Sequence, residues 1–227
     1  MNTLIDQAVK NNIAWCEIVC DSHGVAHTSK EHLWGVFSKA PKYYPELITK
    51  SKYSSVEDIN NYINKVTVSS IKDSFANLNL SPLGFEILFN AKWIFHEGVH
   101  DSRSLHDKWR VINTEKDLKK WTISSGLVDI IKPDILNENS VKIFMYEQNN
   151  AVCGFIANLS ANVVGVSNVF TTDHANEELW LDIPDIISTE FPGFPIVGYE
   201  HNENLIAANS AGWRSIGSLR VWIRSNH

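Results

Sequence analysis

The sequence predicts an α/β (α+β) fold: a mixed, mostly antiparallel sheet flanked by helices, with an α/β extension at its N-terminal end. Three observations predict it. Short β-branched or alternating runs recur between longer amphipathic stretches. From residue 114 the order reads helix, three strands, helix, strand, helix, strand, so hairpin-spaced strands give way to a strand-helix-strand unit. The chain has 227 residues, 44% apolar and 20% charged. That is enough to bury ~70% of its unfolded surface without a disulfide or metal staple.

The elements follow in order. Residues 13–19 read as a strand carrying Trp15 and the β-branched Ile13, Ile18 and Val19. A polar turn around Gly24 leads to an apolar run at 34–37. Pro41 and Pro45 then impose extended geometry on their predecessors. Ser55 and Asp58 resemble a capping box, and Val56, Ile59, Ile63 and Val66 form one helical face. Residues 70–77 and 84–95 read as strand and turn, the second rich in aromatic residues. The polar, histidine-bearing stretch 96–107 reads as an exposed crossover between an N-terminal α/β region, 1–100, and a second domain, 108–227.

In the second half, Thr114 with Asp117 opens a helix that Gly126 ends. Residues 141–146 and 151–159 are strands joined by Gln148-Asn149-Asn150, and 163–170 is a third. Residues 178–190 carry Leu179, Ile183, Ile186 and Ile187 at helical spacing. Pro184 predicts a kinked first turn there, or a regular helix beginning near Asp182. A fourth strand at 196–199, a helix at 204–211 closed by Gly212, and a last strand at 218–224 complete the reading.

Composition excludes several function classes. Twenty basic against 26 acidic residues, a net charge of −6, argues against nucleic acid as the main partner. No apolar run approaches the ~20 residues of a membrane span, and the first ten residues lack a basic leader. Three cysteines, an odd number, suit a reducing cytoplasm. Cys16, Cys20, His23, His27 and His32 offer ligands of the right type for zinc. On a strand, however, the two thiols would lie ~13 Å apart, so the cluster reads as buried thiols and surface histidines, with no metal.

Two segments of the second half carry a family resemblance. Residues 204–213, Asn-Leu-Ile-Ala-Ala-Asn-Ser-Ala-Gly-Trp, are similar to the last helix of the GNAT acyltransferase superfamily, with its closing Gly-aromatic pair. Residues 195–200, Pro-Ile-Val-Gly-Tyr-Glu, resemble its fifth strand, and 163–170 would be the fourth. In that family these two strands splay to admit the pantetheine arm of coenzyme A. The resemblance spans about half the chain. It implies an N-acyltransferase that uses acetyl-CoA or another acyl-CoA and acts on a small amine or amino-acid-like substrate. The alternative it leaves open is a catalytically inactive module of the same fold, binding a small molecule or a protein. A homodimer is permitted by exposed aromatic residues.

Residues 83–94 also resemble 211–223: both run Gly-aromatic and end in Trp-Ile. This raises the reading that the N-terminal region is a degenerate copy of the same unit.

By the resemblance, Tyr199 and Glu200 stand beside the acyl carbon, and a carboxylate in an apolar cleft can act as a base. Asn168 is placed to donate to a carbonyl. Val169, Phe170, Thr171, Thr172, His174 and Asn204 would contact the cofactor. Two departures stand out. The loop 171–178, where a glycine-rich phosphate cradle belongs, has no glycine and carries Asp173, Glu177 and Glu178. Ala208 occupies the place of a frequent tyrosine general acid. The hydroxyl cluster 69–75 reads as turn chemistry. The aromatic set Trp34, Phe37, Tyr43, Tyr44 and Tyr53 reads as a cleft lining or as core.

Overall fold

Thr3 opens the first element. Its hydroxyl accepts from the Asp6 amide at 3.2 Å and the Asp6 carboxylate accepts from the Thr3 amide at 2.9 Å. This reciprocal cap starts helix α1, Leu4–Ser22. In this computed structural model, which describes residues 3–99, 108–148, 151–172 and 176–225, residues 13–19 are thus helical rather than a strand. The alternation that suggested a strand belongs to a helix buried on two sides. Ile13, Cys16 and Cys20 enter one apolar cluster, Trp15 and Val19 another, and this tertiary packing overrides the β-branched preference. Cys16 and Cys20 are therefore one helical turn apart, ~6 Å in rise. Both are buried free thiols, pushed by burial to about 11 and about 12.

The chain continues with β1 (His27–Ser29), β2 (Leu33–Val36), β3 (Leu47–Thr49), α2 (Val56–Ile63), β4 (Ser70–Asp73) and β5 (Phe85–His96). The second half contributes β6 (Arg110–Val111), α3 (Glu115–Ser125), β7 (Val141–Gln148), β8 (Ala151–Ser160), β9 (Val163–Thr171), α4 (Asn176–Glu190), β10 (Ile196–Glu200), α5 (Asn202–Ser210) and β11 (Arg214–Arg224). Most of the expected crossover, residues 100–107, lies outside the described residues, as do Asn149 and Asn150 of the β7–β8 hairpin. Strand pairing nonetheless runs to Gln148–Ala151.

The capping box expected at Ser55 forms. The Ser55 hydroxyl accepts from the Asp58 amide at 3.1 Å and the Asp58 carboxylate accepts from the Ser55 amide at 2.8 Å. Ser55→Ala should lower stability by about 1 kcal/mol, measured by urea denaturation.

Among the described residues all eleven strands form one sheet in the order β1-β2-β3-β4-β11-β5-β10-β9-β8-β7-β6. Apart from the extra edge strand β6, the order has the same pattern from either edge. An antiparallel meander (β1-β2-β3 or β7-β8-β9) is followed by a parallel neighbour (β4 or β10), reached through a helix (α2 or α4). Each parallel strand then pairs antiparallel with the last strand of the other half, β4 with β11 and β10 with β5. The two similar segments singled out in the sequence fall on β5 and β11, which pair with each other at the centre.

Alternate residues of each strand face opposite layers. On one face, α1 and α3 cover Trp34, Ile48, Trp93, Ile143 and Ile156. On the other, α2 packs on Leu33, Leu47 and Ile71, while α4 and α5 pack on Ile94, Phe155 and Val164. A polar latch holds α1 to the second half. The buried Asn11 amide donates to the carbonyls of Asn158 (2.9 Å), Val163 (3.2 Å) and Ser160 (3.3 Å).

Pro184 does not end α4, which runs through it. A proline has no N–H, so the Trp180 carbonyl one turn earlier loses its helical donor. The Trp213 indole N–H supplies the bond instead, at 3.2 Å. The Gly-Trp pair after α5 is thereby tied to α4, with the two indoles edge to face at 5.3 Å.

Candidate active site

The site grows from a local failure of pairing. β9 and β10 run parallel but pair only at Val164–Ile196 and Gly165–Val197. Beyond that point β9 bulges: between Ile156–Ser167 and Gly154–Phe170 it holds one residue more than β8. The extra length is taken up at Asn168, whose φ of 52° is left-handed. Gly198 keeps the strands close up to the point of divergence, since a Cβ there would lie 2.8 Å from Val166 Cγ1 and 3.0 Å from the Val166 carbonyl oxygen.

The gap opens into a cleft of about 230 Å³. Its walls are Val166 to Val169 of β9, Tyr199 and Glu200 of β10, and His201 and Asn204 at the start of α5. The first half of the chain supplies Asn12, Trp15 and Cys16 of α1, Tyr43, Tyr44 and Pro45 before β3, Lys72 of β4 and Phe89 of β5. Tyr43 and Asn168, both lining the cleft, have positive φ, 72° and 52°. Such backbone costs about 1 kcal/mol or more per residue and persists only where surrounding packing enforces it.

The expected site residues divide. The structure brings Glu200, Tyr199, Asn168, Val169 and Asn204 to one cleft. Phe170 packs instead edge to face on Trp121 of α3 at 5.1 Å. Thr172 is engaged with β8, its hydroxyl accepting from the Val152 amide at 2.8 Å. The Thr171 hydroxyl lies 3.2 Å from the Cys153 thiol. His174 lies outside the described residues. Ala208, at the place of a frequent proton donor in the family the sequence resembles, is fully buried in the α4–α5 core.

Burial raises the Glu200 carboxyl from its ordinary 4.5 to about 7. Two weaker effects oppose it, a 3.4 Å hydrogen bond from the Asn204 amide and one from the His201 backbone. Burial likewise holds the Tyr44 phenol well above its usual value and keeps it protonated. Tyr199 stands edge to face on Trp93, ring centroids 5.6 Å apart. The Asn168 amide donates to the Ser167 hydroxyl at 3.1 Å.

Of the aromatic set, Tyr43 and Tyr44 line the cleft, Trp34 is core, and Phe37 and Tyr53 are exposed elsewhere. The 69–75 cluster does hold a turn: the Asp73 carboxylate accepts from the Leu78 amide at 2.9 Å and the Phe75 amide at 3.3 Å. Lys72, inside that cluster, points instead into the cleft, and sequence reasoning missed it. Asn12, Cys16, Phe89 and His201 were missed too, because nothing local marks them. A lysine at the centre of a four-residue strand beside Ile71 was the only available signal.

The topology has a parallel pair splayed at a bulge and a helix following the second strand. No family model and no curated protein matches the sequence. The fold likeness comes from solved structures. A candidate acetyltransferase of the GNAT family from Novosphingobium aromaticivorans is similar at a TM-score of 0.60 and 10% identity, over 99% of this chain and 98% of that one. A conserved protein of unknown function from Staphylococcus epidermidis is similar at 0.57 and 7% identity, over 88% and 93%. The chain therefore has a GNAT-like fold along its whole length. No helix among the described residues is long and apolar enough to cross a membrane.

Proposed function

We propose that this protein transfers an acyl group from acetyl-CoA or another acyl-CoA to the amine of a small acceptor. The observation that carries the reading is the wedge between β9 and β10, with the Glu200 carboxyl at its edge tuned to about 7. The residues present fit the thioester end of such a cofactor. Beyond Gly165 the β9 backbone stays paired with β8 but is released from β10, so its amides and carbonyls on the β10 side are available to an extended amide-bearing arm. The phosphate end would fall to the loop 171–178.

Bound acyl-CoA supplies an activated carbonyl carbon. The protein's own residues handle the acceptor. A carboxyl with a pKa near neutrality is ionised in a useful fraction of molecules and still basic enough to take a proton from an ammonium or attacking amine. In this reading Glu200 is that base. Asn204 orients its carboxylate, and Asn168, held at the bulge, offers its amide to a carbonyl oxygen. Tyr199 is the nearest hydroxyl for returning a proton, since Ala208 has none to give. We further read residues 1–100 as a degenerate copy of the 108–227 unit, on the strength of the repeated strand order. The copy then completes the acceptor side of the cleft.

The inactive-module reading is favoured by Ala208 and by the acidic residues of 171–178. Thermal-shift titration with acetyl-CoA and longer acyl-CoAs separates the two. Ligand at 100 times its Kd should stabilise the fold by about 2.7 kcal/mol, and radiolabelled acyl-CoA should pass its label to an amine pool. No shift at millimolar concentration with any chain length removes the acyltransferase reading.

A further inference from the structure

Lys72 is the only lysine or arginine lining the cleft among the described residues. It is 3% exposed, yet its partners are all neutral. Its ammonium donates to the Asn12 side-chain oxygen at 2.8 Å and to the Tyr199 hydroxyl at 3.2 Å, and lies 4.2 Å from the Tyr199 ring centre. Among the described residues no carboxylate forms an ion pair with it. Asp73, its neighbour in sequence, is engaged by the backbone amides of the following turn. An ammonium carries three donors, and two oxygens account for two of them. A cation taken out of water without a counter-charge is strongly disfavoured, so this one calls for an anion that the chain itself does not provide.

The remaining titratable groups of the cleft do not supply it. The Cys16 thiol and the Tyr44 phenol stay protonated, and Glu200 is only partly ionised at neutral pH. Tyr199, which touches the Lys72 ammonium, adjoins Glu200 on β10. Anion seat and proposed base thus open into the same 230 Å³ of space.

We propose that Lys72 seats the carboxylate of the acceptor, which makes the substrate a compact amino acid whose amine lies toward Glu200. This rests on the acyl-transfer reading above and narrows it. A carboxylate would take the third ammonium donor and neutralise the buried charge, and charge-assisted bonds of this kind are about twice as strong as neutral ones. An acceptor with an amide or hydrogen in that place leaves Lys72 as it stands.

The test compares the twenty standard amino acids with their C-terminal amides. Each is assayed as an acyl acceptor and, without any acyl-CoA, as a ligand in thermal shift. The wild-type protein should prefer at least one acid over its amide by tenfold or more in kcat/KM. Lys72→Met, which keeps the stem and removes the charge, should collapse that ratio at least tenfold; a merely structural effect would depress acid and amide alike. Asn12→Asp is a second route, placing an internal carboxylate on Lys72 from another element, and it should reduce the same ratio.

Equal efficiencies for acid and amide in all three proteins overturn the proposal while leaving acyl transfer intact. If no acceptor is acylated, yet an amino acid raises the melting temperature in a Lys72-dependent way, acyl transfer falls and the carboxylate seat stands. If inorganic phosphate or adenosine 3′,5′-bisphosphate gives that shift and no amino acid does, the seat belongs to a phosphate and the proposal is wrong.

Discussion

Glu200→Gln should lower kcat by roughly 10²- to 10⁴-fold, the usual contribution of a general base, and should make the folded protein more stable in alkaline buffer. The two effects share one cause. Burial raises the carboxyl from 4.5 to about 7, so between those values the folded state holds a proton that the unfolded state has released. Stability is therefore full below about 4.5 and is lost as pH rises through about 7. Above that, an ionised Glu200 costs on the order of 3 kcal/mol relative to a group that does not titrate. Urea denaturation of both proteins at pH 4 and pH 8 reads this directly: the curves should nearly coincide at pH 4 and separate at pH 8 in favour of the variant. Wild-type turnover should rise with pH through about 7, and the variant should lack that limb. A variant that keeps its turnover removes Glu200 from the mechanism, whatever the stability shows.

Gly165→Ala should destabilise the protein by about 2–6 kcal/mol. A Cβ at Gly165 would overlap the Asn11 side-chain oxygen and lie 2.7 Å from that of Asn158, so the methyl displaces the amide that latches α1 to β8 and β9. Overpacking of a core site costs about 1–3 kcal/mol. Leaving buried carbonyls of Asn158 and Val163 without their donor adds about 1–3 kcal/mol more. α1 also carries Asn12, Trp15 and Cys16 to the cleft, so activity should fall even in molecules that remain folded. The double variant Asn11→Ala, Gly165→Ala removes the overlap with Asn11 but not the loss of the latch, and should recover part of the stability. Chemical denaturation of the three variants checks this. If the double variant is the sum of the singles, the contact is not the cause.

Much of the second half was legible in the sequence because its signals are local. Three hairpin-spaced strands, the Thr114 and Gly126 boundaries of α3, and a Gly-Trp pair after a short helix each depend on a few adjacent residues, and all appear where expected. Where local signals conflicted with burial, the reading failed. Residues 13–19 carry β-branched and aromatic side chains, but α1 is covered on two faces and its periodicity is masked. Pro184 should disturb a helix, and only the distant Trp213 indole supplies the bond that Trp180 lacks.

The candidate site divides in the same way. Glu200, Tyr199 and Asn168 come from adjacent strands of one unit, and the resemblance carried by residues 195–213 was enough to place them together. Lys72, Asn12 and Tyr44 stand about 96 to 188 residues away along the chain, and no spacing rule spans that distance. Chain order and hydrophobic period determined that there would be a mixed sheet flanked by helices, because each strand's identity is set by its own few residues. Tertiary structure decided that β5 and β11 cross to the centre of that sheet and that α1 lies over both halves. Those pairings are selected by shared burial between distant segments, and it is they that bring a buried, uncompensated lysine to the carboxyl at the mouth of the wedge.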